Sequence, residues 1–434
     1  MDTSSQHGIK AKAHKRLRTN NQLWGFLAVV LSGQLIYSSF EAFKGTFYNL
    51  LLKVLGVSNA QLGIIFSLIG ISMFFYIPGG WLNNRFSVKS LIITGLLIRM
   101  LTVFIIVFFQ PTFTILRLIA IIWGLTDAFF WPAVLNGVAM LSSKKHSGLA
   151  FGMLESIRRT VEMSMNLLLV GAMALFGGIS IFKTGMLVYN LLIIPLVFAI
   201  IKLVPKNGIA KEHEVSQTQK AGKAFKGLIK VILMPKVWLA SITALTIYWS
   251  YINLIYTVPY LQAVYHISQT QASIFGIINT GGMGVVAGII SGSLSDYVFK
   301  SSAKTMFGAL ILTLVALTAV LLLPKNSHTL GWSIGLLMVF SFAIFLAKSI
   351  MLAPITEANV PKNYVGSSMS VGSFVAYAPI FWTYGLNGHI IDAHKNPIAA
   401  YQTIFLIGTI VVAVGVATSL LLTIINHKQV GTAS

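Results

Sequence analysis

Apolar runs long enough to cross a bilayer follow one another along the whole chain, at about residues 23–48, 59–82, 88–109, 113–141, 148–176, 179–204, 232–262, 270–298, 303–323, 329–356, 364–391 and 397–425. A helix of about 20 predominantly apolar residues spans the hydrocarbon core, and a helix is favoured there because it satisfies its own backbone hydrogen bonds. Twelve such runs leave little room for anything else, so the chain reads as an all-α integral membrane protein of twelve transmembrane helices. Composition agrees: hydrophobic residues make up 56% of the 434 and charged residues 9%, against roughly 25% charge in soluble domains. The absence of cysteine excludes disulfides, thiolate nucleophiles and cysteine-held metals.

The net charge of +21 does not point to nucleic acid, because the basic residues sit in short loops between apolar runs, where they set topology. With both termini inside, cytoplasmic segments hold 21 of the 31 Lys and Arg, outer loops hold four (Lys53, Lys183, Lys325 and Lys395), and spans hold six. That imbalance places both termini in the cytoplasm, as expected for a multi-pass protein of the plasma (inner) membrane. The basic amino-terminal stretch is followed by a run that continues through Gln34, Tyr37 and Glu41. It is too long and too polar for a signal peptide and reads as a retained first span.

The only long polar stretch between spans divides the runs six and six. The expected organisation is a basic cytoplasmic tail at 1–22, an amino-terminal six-helix bundle at 23–204, a cytoplasmic linker at 205–230, a carboxy-terminal six-helix bundle at 231–425 and a short cytoplasmic tail at 426–434. The halves carry an internal echo. Ser58-Asn-Ala-Gln-Leu-Gly63 precedes one apolar run and Ser268-Gln-Thr-Gln-Ala-Ser273 precedes another, and both runs end in related turns.

Those turns, Gly80-Trp-Leu-Asn-Asn-Arg-Phe-Ser-Val-Lys89 and Gly292-Ser-Leu-Ser-Asp-Tyr-Val-Phe-Lys300, resemble the Gly-x-Leu-x-Asp-Arg-x-Gly-Arg/Lys loop of the major facilitator superfamily. The resemblance implies two pseudo-symmetric six-helix halves that rock about a mid-membrane site. It also implies a gating role for Gly80, Asn84, Arg85, Gly292 and Asp296. The copies depart from the pattern: Asn84 stands where the family has aspartate, Ser87 where it has glycine, and Tyr297 replaces the arginine after Asp296. Asn84 cannot make the salt link of a carboxylate, and a loop kept only for tight turning is the competing reading.

Charge within the spans marks the candidate site. Glu155, Arg158, Arg159 and Glu162 fall at i, i+3, i+4 and i+7, so a helix stacks them on one face, and charged groups at bilayer depth face a bundle interior or a watery cavity. With Glu41, Lys44, Arg99, Arg117 and Asp127 they give four acids and five bases in the amino-terminal half, so mutual pairing is expected for most. Glu41 and Lys44 have the spacing of a local pair. A permanent salt-bridge network is one reading; a breakable pair that collects a proton is the other. No histidine lies convincingly in mid-span, so the expected proton carriers are Glu155, Glu162, Asp127 and Glu41, in that order.

Arg158 and Arg159 are the expected solute anchors, since a guanidinium grips carboxylate or phosphate at two points. Trp123 shares a fourth-span face with Asp127, and Tyr248 and Tyr251 lie near mid-span in the seventh. Lys348, in the tenth, has no acid within helical reach; a lysine snorkelling to water is the competing reading. The resemblance implies that the first, fourth, seventh and tenth spans line the cavity, which brings Lys44, Asp127, the seventh-span tyrosines and Lys348 to the solute. Gly284, Gly288 and Gly292 read as a close-packing seam.

The expected activity is secondary active transport of a small polar or anionic organic solute (a sugar, phosphate ester or carboxylate), as proton-coupled uptake by a monomer. Efflux of amphiphilic compounds or lipid flipping by the same fold is the alternative. No nucleophile and base, and no metal-ligand set, points to an enzyme, and no cofactor or metal is expected.

Overall fold

The computed structural model describes residues 3–75, 79, 82, 83, 85–141, 147–205, 231–357 and 365–431, and for 3–20, 147–152, 155, 296, 356–357, 365–367, 369–370 and 426–431 it describes the backbone alone. Every regular element among the described residues is helical. Nine helices are long and apolar enough to cross a membrane, ten if the bent pair Tyr48–Leu55 and Asn59–Phe75 counts as one crossing. The first and eleventh of the twelve runs read from the sequence fall on interrupted helices outside that count, which is consistent with twelve spans. The first is the helix Thr3–Ser38 with the 3-10 turn Glu41–Phe43. The eleventh is Val365–Tyr377, a 3-10 turn at Ala378–Phe381, and Thr383–Ala393.

Several breaks have a covalent cause. Proline lacks an N–H and fits most readily in the first turn of a helix. Accordingly Pro259 follows the 3-10 turn Leu254–Tyr256, Pro354 lies in the short helix Ala353–Glu357, and Pro379 lies in the turn of the eleventh span. Pro132, by contrast, is carried inside the continuous fourth-span helix Phe113–Leu141. The sequence echo is structural too. Ser58 and Ser268 both form capping boxes, each side chain accepting from the N–H three residues on while Gln61 and Gln271 reach back to the serine N–H.

The described chain gathers into two compact units, Met1–Phe43 with Ile71–Glu212, and Lys44–Gly70 with His213–Ser434. In the first, the helix Thr3–Ser38 packs on the third, fourth, fifth and sixth spans (Val88–Phe109, Phe113–Leu141, Ser147–Phe176 and Gly178–Leu203). Its core centres on aromatic side chains: Phe40 meets Trp123 edge-on at 4.8 Å, and Phe43 lies 5.1 Å from Phe182. In the second, the seventh span packs on the eleventh and twelfth, the ninth on the tenth and twelfth, and Asn59–Ile69 on Thr383–Ala393.

Close backbone approach is made by glycines other than the expected seam. A Cβ on Gly63 would stand 2.2 Å from the Tyr384 carbonyl oxygen, and one on Gly388 would stand 2.2 Å from the Asn59 carbonyl oxygen. Around Gly284 the nearest atom is a Phe345 ring carbon at 3.1 Å, around Gly288 it is Ser349 Oγ at 3.8 Å, and Gly292 has open space. The four-residue glycine spacing therefore faces side chains or nothing, while Gly63 and Gly388 bring two helices together.

Candidate functional site

In the first unit the break after Ser38 decides where Glu41 goes. The helix Thr3–Ser38 ends before Glu41, which lies in the 3-10 turn Glu41–Phe43. There Glu41 Oε1 accepts a hydrogen bond from Arg99 Nη1 at 2.6 Å. Arg99 Nη2 stands 3.7 Å from Asp127 Oδ1. The Arg99 side chain is fully buried, with Glu41 and Asp127 each 10% exposed. Its guanidinium carbon lies 4.0 Å from the centre of the Trp123 ring, whose indole N–H donates to Thr102 Oγ1 at 2.7 Å. Trp123 is thus a buried bed for Arg99. Asp127 is engaged by the third span rather than by the fifth-span cluster, and Arg117 turns to Thr114 and the Phe113 ring of its own helix.

The fifth-span arginines part company. Arg158 donates from Nε to the Gly33 carbonyl at 3.0 Å and lies over two rings of the same unit, Trp131 at 4.5 Å and Tyr37 at 5.8 Å. Arg159 pairs with Glu162 one turn along its own helix at 3.2 Å, both half-exposed. The side chain of Glu155 lies outside the described residues.

In the second unit Lys44 Nζ donates to the Tyr384 hydroxyl at 3.2 Å and lies near the rings of Phe66 and Tyr384. Lys348 Nζ sits 4.3 Å from the centre of the Tyr251 ring. Tyr251 in turn packs on Phe345 and Tyr248, and Tyr248 on Tyr377. In the same unit Asn387 Nδ2 donates to Asn253 Oδ1 at 2.8 Å. Tyr48 donates to Asn59 Oδ1 at 3.0 Å and meets Tyr256 edge-on.

Of the gating-loop residues, Gly80 and Asn84 lie outside the described residues. Arg85 is exposed, Gly292 is in the eighth-span helix, and Asp296 is described by its backbone alone, within a π-helical turn Leu294–Val298. No cluster of metal-binding side chains occurs among the described residues.

A family model described as the Major Facilitator Superfamily matches residues 30–384. The chain belongs to the Major Facilitator Superfamily. Its members move solutes and are not enzymes, so this chain is a multi-pass membrane transporter. Two relatives from Escherichia coli (strain K12) are similar along most of their length. Inner membrane protein YihN is 27% identical over 391 residues, covering 88% of this chain and 90% of that one. Inner membrane protein YqcE is 23% identical over 361 residues, covering 82% and 84%. Solved superfamily structures share the fold. The nucleoside transporter NupG matches with a TM-score of 0.71 at 16% identity, over 93% of this chain and 99% of that one. A bacterial homologue of the human lysosomal transporter Spinster, inward-facing and occupied, matches with a TM-score of 0.64 at 15% identity, over 92% and 96%.

Residue spacing did not single out three groups that complete these clusters. Arg99 was counted among the span charges but given no site role, which the reasoning applied to Lys348 would have supplied, since it too has no acid within helical reach of its own span. Tyr37 and Tyr384 carried no signal beyond being aromatic in a span.

Proposed function

We propose that this transporter takes up a small anionic organic solute, a phosphate ester or a carboxylate, together with protons, by alternating access. It acts as a monomer in the inner membrane with both termini cytoplasmic. The observation that carries the reading is Arg158. A guanidinium laid on two aromatic rings keeps a flat, oriented donor edge, and that edge suits the two oxygens of a phosphate or carboxylate. Lys348 on Tyr251 gives the second unit a cation of the same kind, and the tyrosines beside it suit hydroxyl groups on the solute. Arg159 is assigned a packing role, because Glu162 already neutralises it on its own helix.

The test is uptake of radiolabelled glucose 6-phosphate, glycerol 3-phosphate and gluconate into proteoliposomes, with and without an imposed inward proton gradient. At least one should accumulate, and faster with the gradient. Arg158→Gln should abolish that uptake and Arg158→Lys should cut it at least about 10-fold, the loss of one bidentate contact; Arg159→Gln should leave it within about 3-fold. Equal loss in both glutamine variants, or uptake indifferent to the gradient, sinks the reading.

A further inference from the structure

Resting on that reading, we infer that Asp392 is a positioning residue of the transport cycle: its carboxylate latches the second span to the eleventh while the outer side is closed, and the latch is released when that side opens.

The first support is which helices it joins. Asn59–Ile69, in the second span, belongs by sequence to the amino-terminal half, and Thr383–Ala393, in the eleventh, to the carboxy-terminal half. In the structure, residues 44–70 nonetheless gather with the carboxy-terminal unit. Asp392 holds that segment at the start of its longer helix, where Oδ2 accepts from the Ala60 N–H at 2.7 Å and Oδ1 from the Asn59 side chain at 2.8 Å. Gly63 and Gly388 then let the two helices lie backbone against backbone. A second tie to the same helix runs from Lys44 Nζ to the Tyr384 hydroxyl at 3.2 Å. In chain order the segment lies between the 3-10 turns Glu41–Phe43 and Gly70–Phe75, so regular helix is interrupted at both its ends, as at a hinge.

The second support is that the helix start does not need Asp392. Ser58 and Gln61 already close a capping box there, and the twin box of Ser268 and Gln271 closes the start of Gln269–Gly276 in the same way. Ser58 and Ser268 are 210 residues apart, and 210 places before Asp392 stands Phe182, followed by Lys183. The repeat therefore carries the box and not the carboxylate. The added acid serves the meeting of two helices rather than the start of one.

The third support is exposure. Asp392 lies at the exposed end of its helix, so on release its carboxylate exchanges these hydrogen bonds for water, whereas a buried one would be left without partners. A contact made and broken in every cycle needs that alternative. An interaction present in one state and absent from the other biases their ratio by its own strength, which for one helix cap is a factor of about 5.

The chain has no cysteine, so introduced thiols can be labelled alone. Lys53, within the segment, and Lys395, just past the eleventh span, are both exposed. Lys53→Cys combined with Lys395→Cys accepts two nitroxide labels, and double electron–electron resonance then reads the distance between them in the full-length protein in lipid nanodiscs, with no solute added. With Asp392 present a short distance should dominate. Asp392→Ala should raise the share of a longer distance about 5-fold relative to the short one, and Asp392→Asn, which keeps one acceptor oxygen, should fall between. An unchanged distribution in Asp392→Ala, even with a lowered unfolding midpoint, is the behaviour of a purely structural cap and overturns the proposal. Should Asp392→Ala not fold, Asn59→Ala decides, because it deletes the side-chain bond alone: growth of the longer distance supports the latch, and an unmoved distribution overturns it. The uptake assay judges the anion reading separately, so failure of every solute there, with the expected shift here, counts against that reading alone.

Discussion

Asp392 closes the amino end of the Asn59–Ile69 helix: its carboxylate accepts a hydrogen bond from the Ala60 N–H at 2.7 Å. The same carboxylate accepts from the Asn59 side chain at 2.8 Å and from the Asn59 N–H at 3.2 Å. An anion at this end of a helix satisfies donors that have no intrahelical partner and meets the positive end of the dipole. Partial burial pushes the carboxyl up, but the hydrogen bonds from Ala60, Asn59 and Ser58 outweigh it and leave its pKa below the ordinary value. Asp392→Ala should therefore destabilise the protein by about 1 kcal/mol at neutral pH. The difference should persist down to about pH 4, the ordinary carboxylate range, and vanish as the pH falls through the lowered native value. Thermal unfolding of both proteins in detergent across that range checks it.

Arg99 should tolerate little. Removing it leaves Glu41 and Asp127 buried without a counter-charge, and such a break costs about 3 to 5 kcal/mol. Arg99→Gln should fall in that range by thermal unfolding, and Glu41→Gln added to it should recover part of the loss, because the two share one network. Additive losses would show that the pair is not coupled.

Where two helices touch backbone to backbone, a methyl group has nowhere to go. Gly63→Ala and Gly388→Ala, each placing a Cβ 2.2 Å from a carbonyl oxygen, should each cost about 1 to 3 kcal/mol. Gly171, inside the fifth-span helix with open space around it, gives the opposite sign: Gly171→Ala should stabilise by about 0.5 to 1 kcal/mol. Denaturant midpoints of the three variants compare them directly.

The Arg159–Glu162 pair sets a lower bound. Its side chains are 31% and 25% exposed, and a solvated pair one helical turn apart contributes about 0 to 0.5 kcal/mol. Glu162→Gln should leave the unfolding midpoint nearly unchanged, and a large loss would mean that Glu162 has a buried partner.

The spans were legible because hydrocarbon thickness and backbone hydrogen bonding leave one local solution, which a run of apolar residues announces. The repeat was legible for a similar reason: Ser58 with Gln61 and Ser268 with Gln271 act over three residues, and sequence displays that range directly. The candidate site was legible only as an inventory. Glu41, Asp127 and Arg158 stood out as charges at bilayer depth, yet no spacing pointed to Arg99 as the residue that Glu41 and Asp127 share.

Sequence by itself determined that this chain is helical and membrane-spanning, that it repeats in two halves and that its buried charge concentrates in the first, because each of these follows from local composition and short-range chemistry. Tertiary structure alone decided which charge meets which. Arg99 reaches Glu41 58 positions away, and Asp392 reaches Ala60 across 332. Such partners are selected by the packing of whole helices, and no spacing along the chain encodes them.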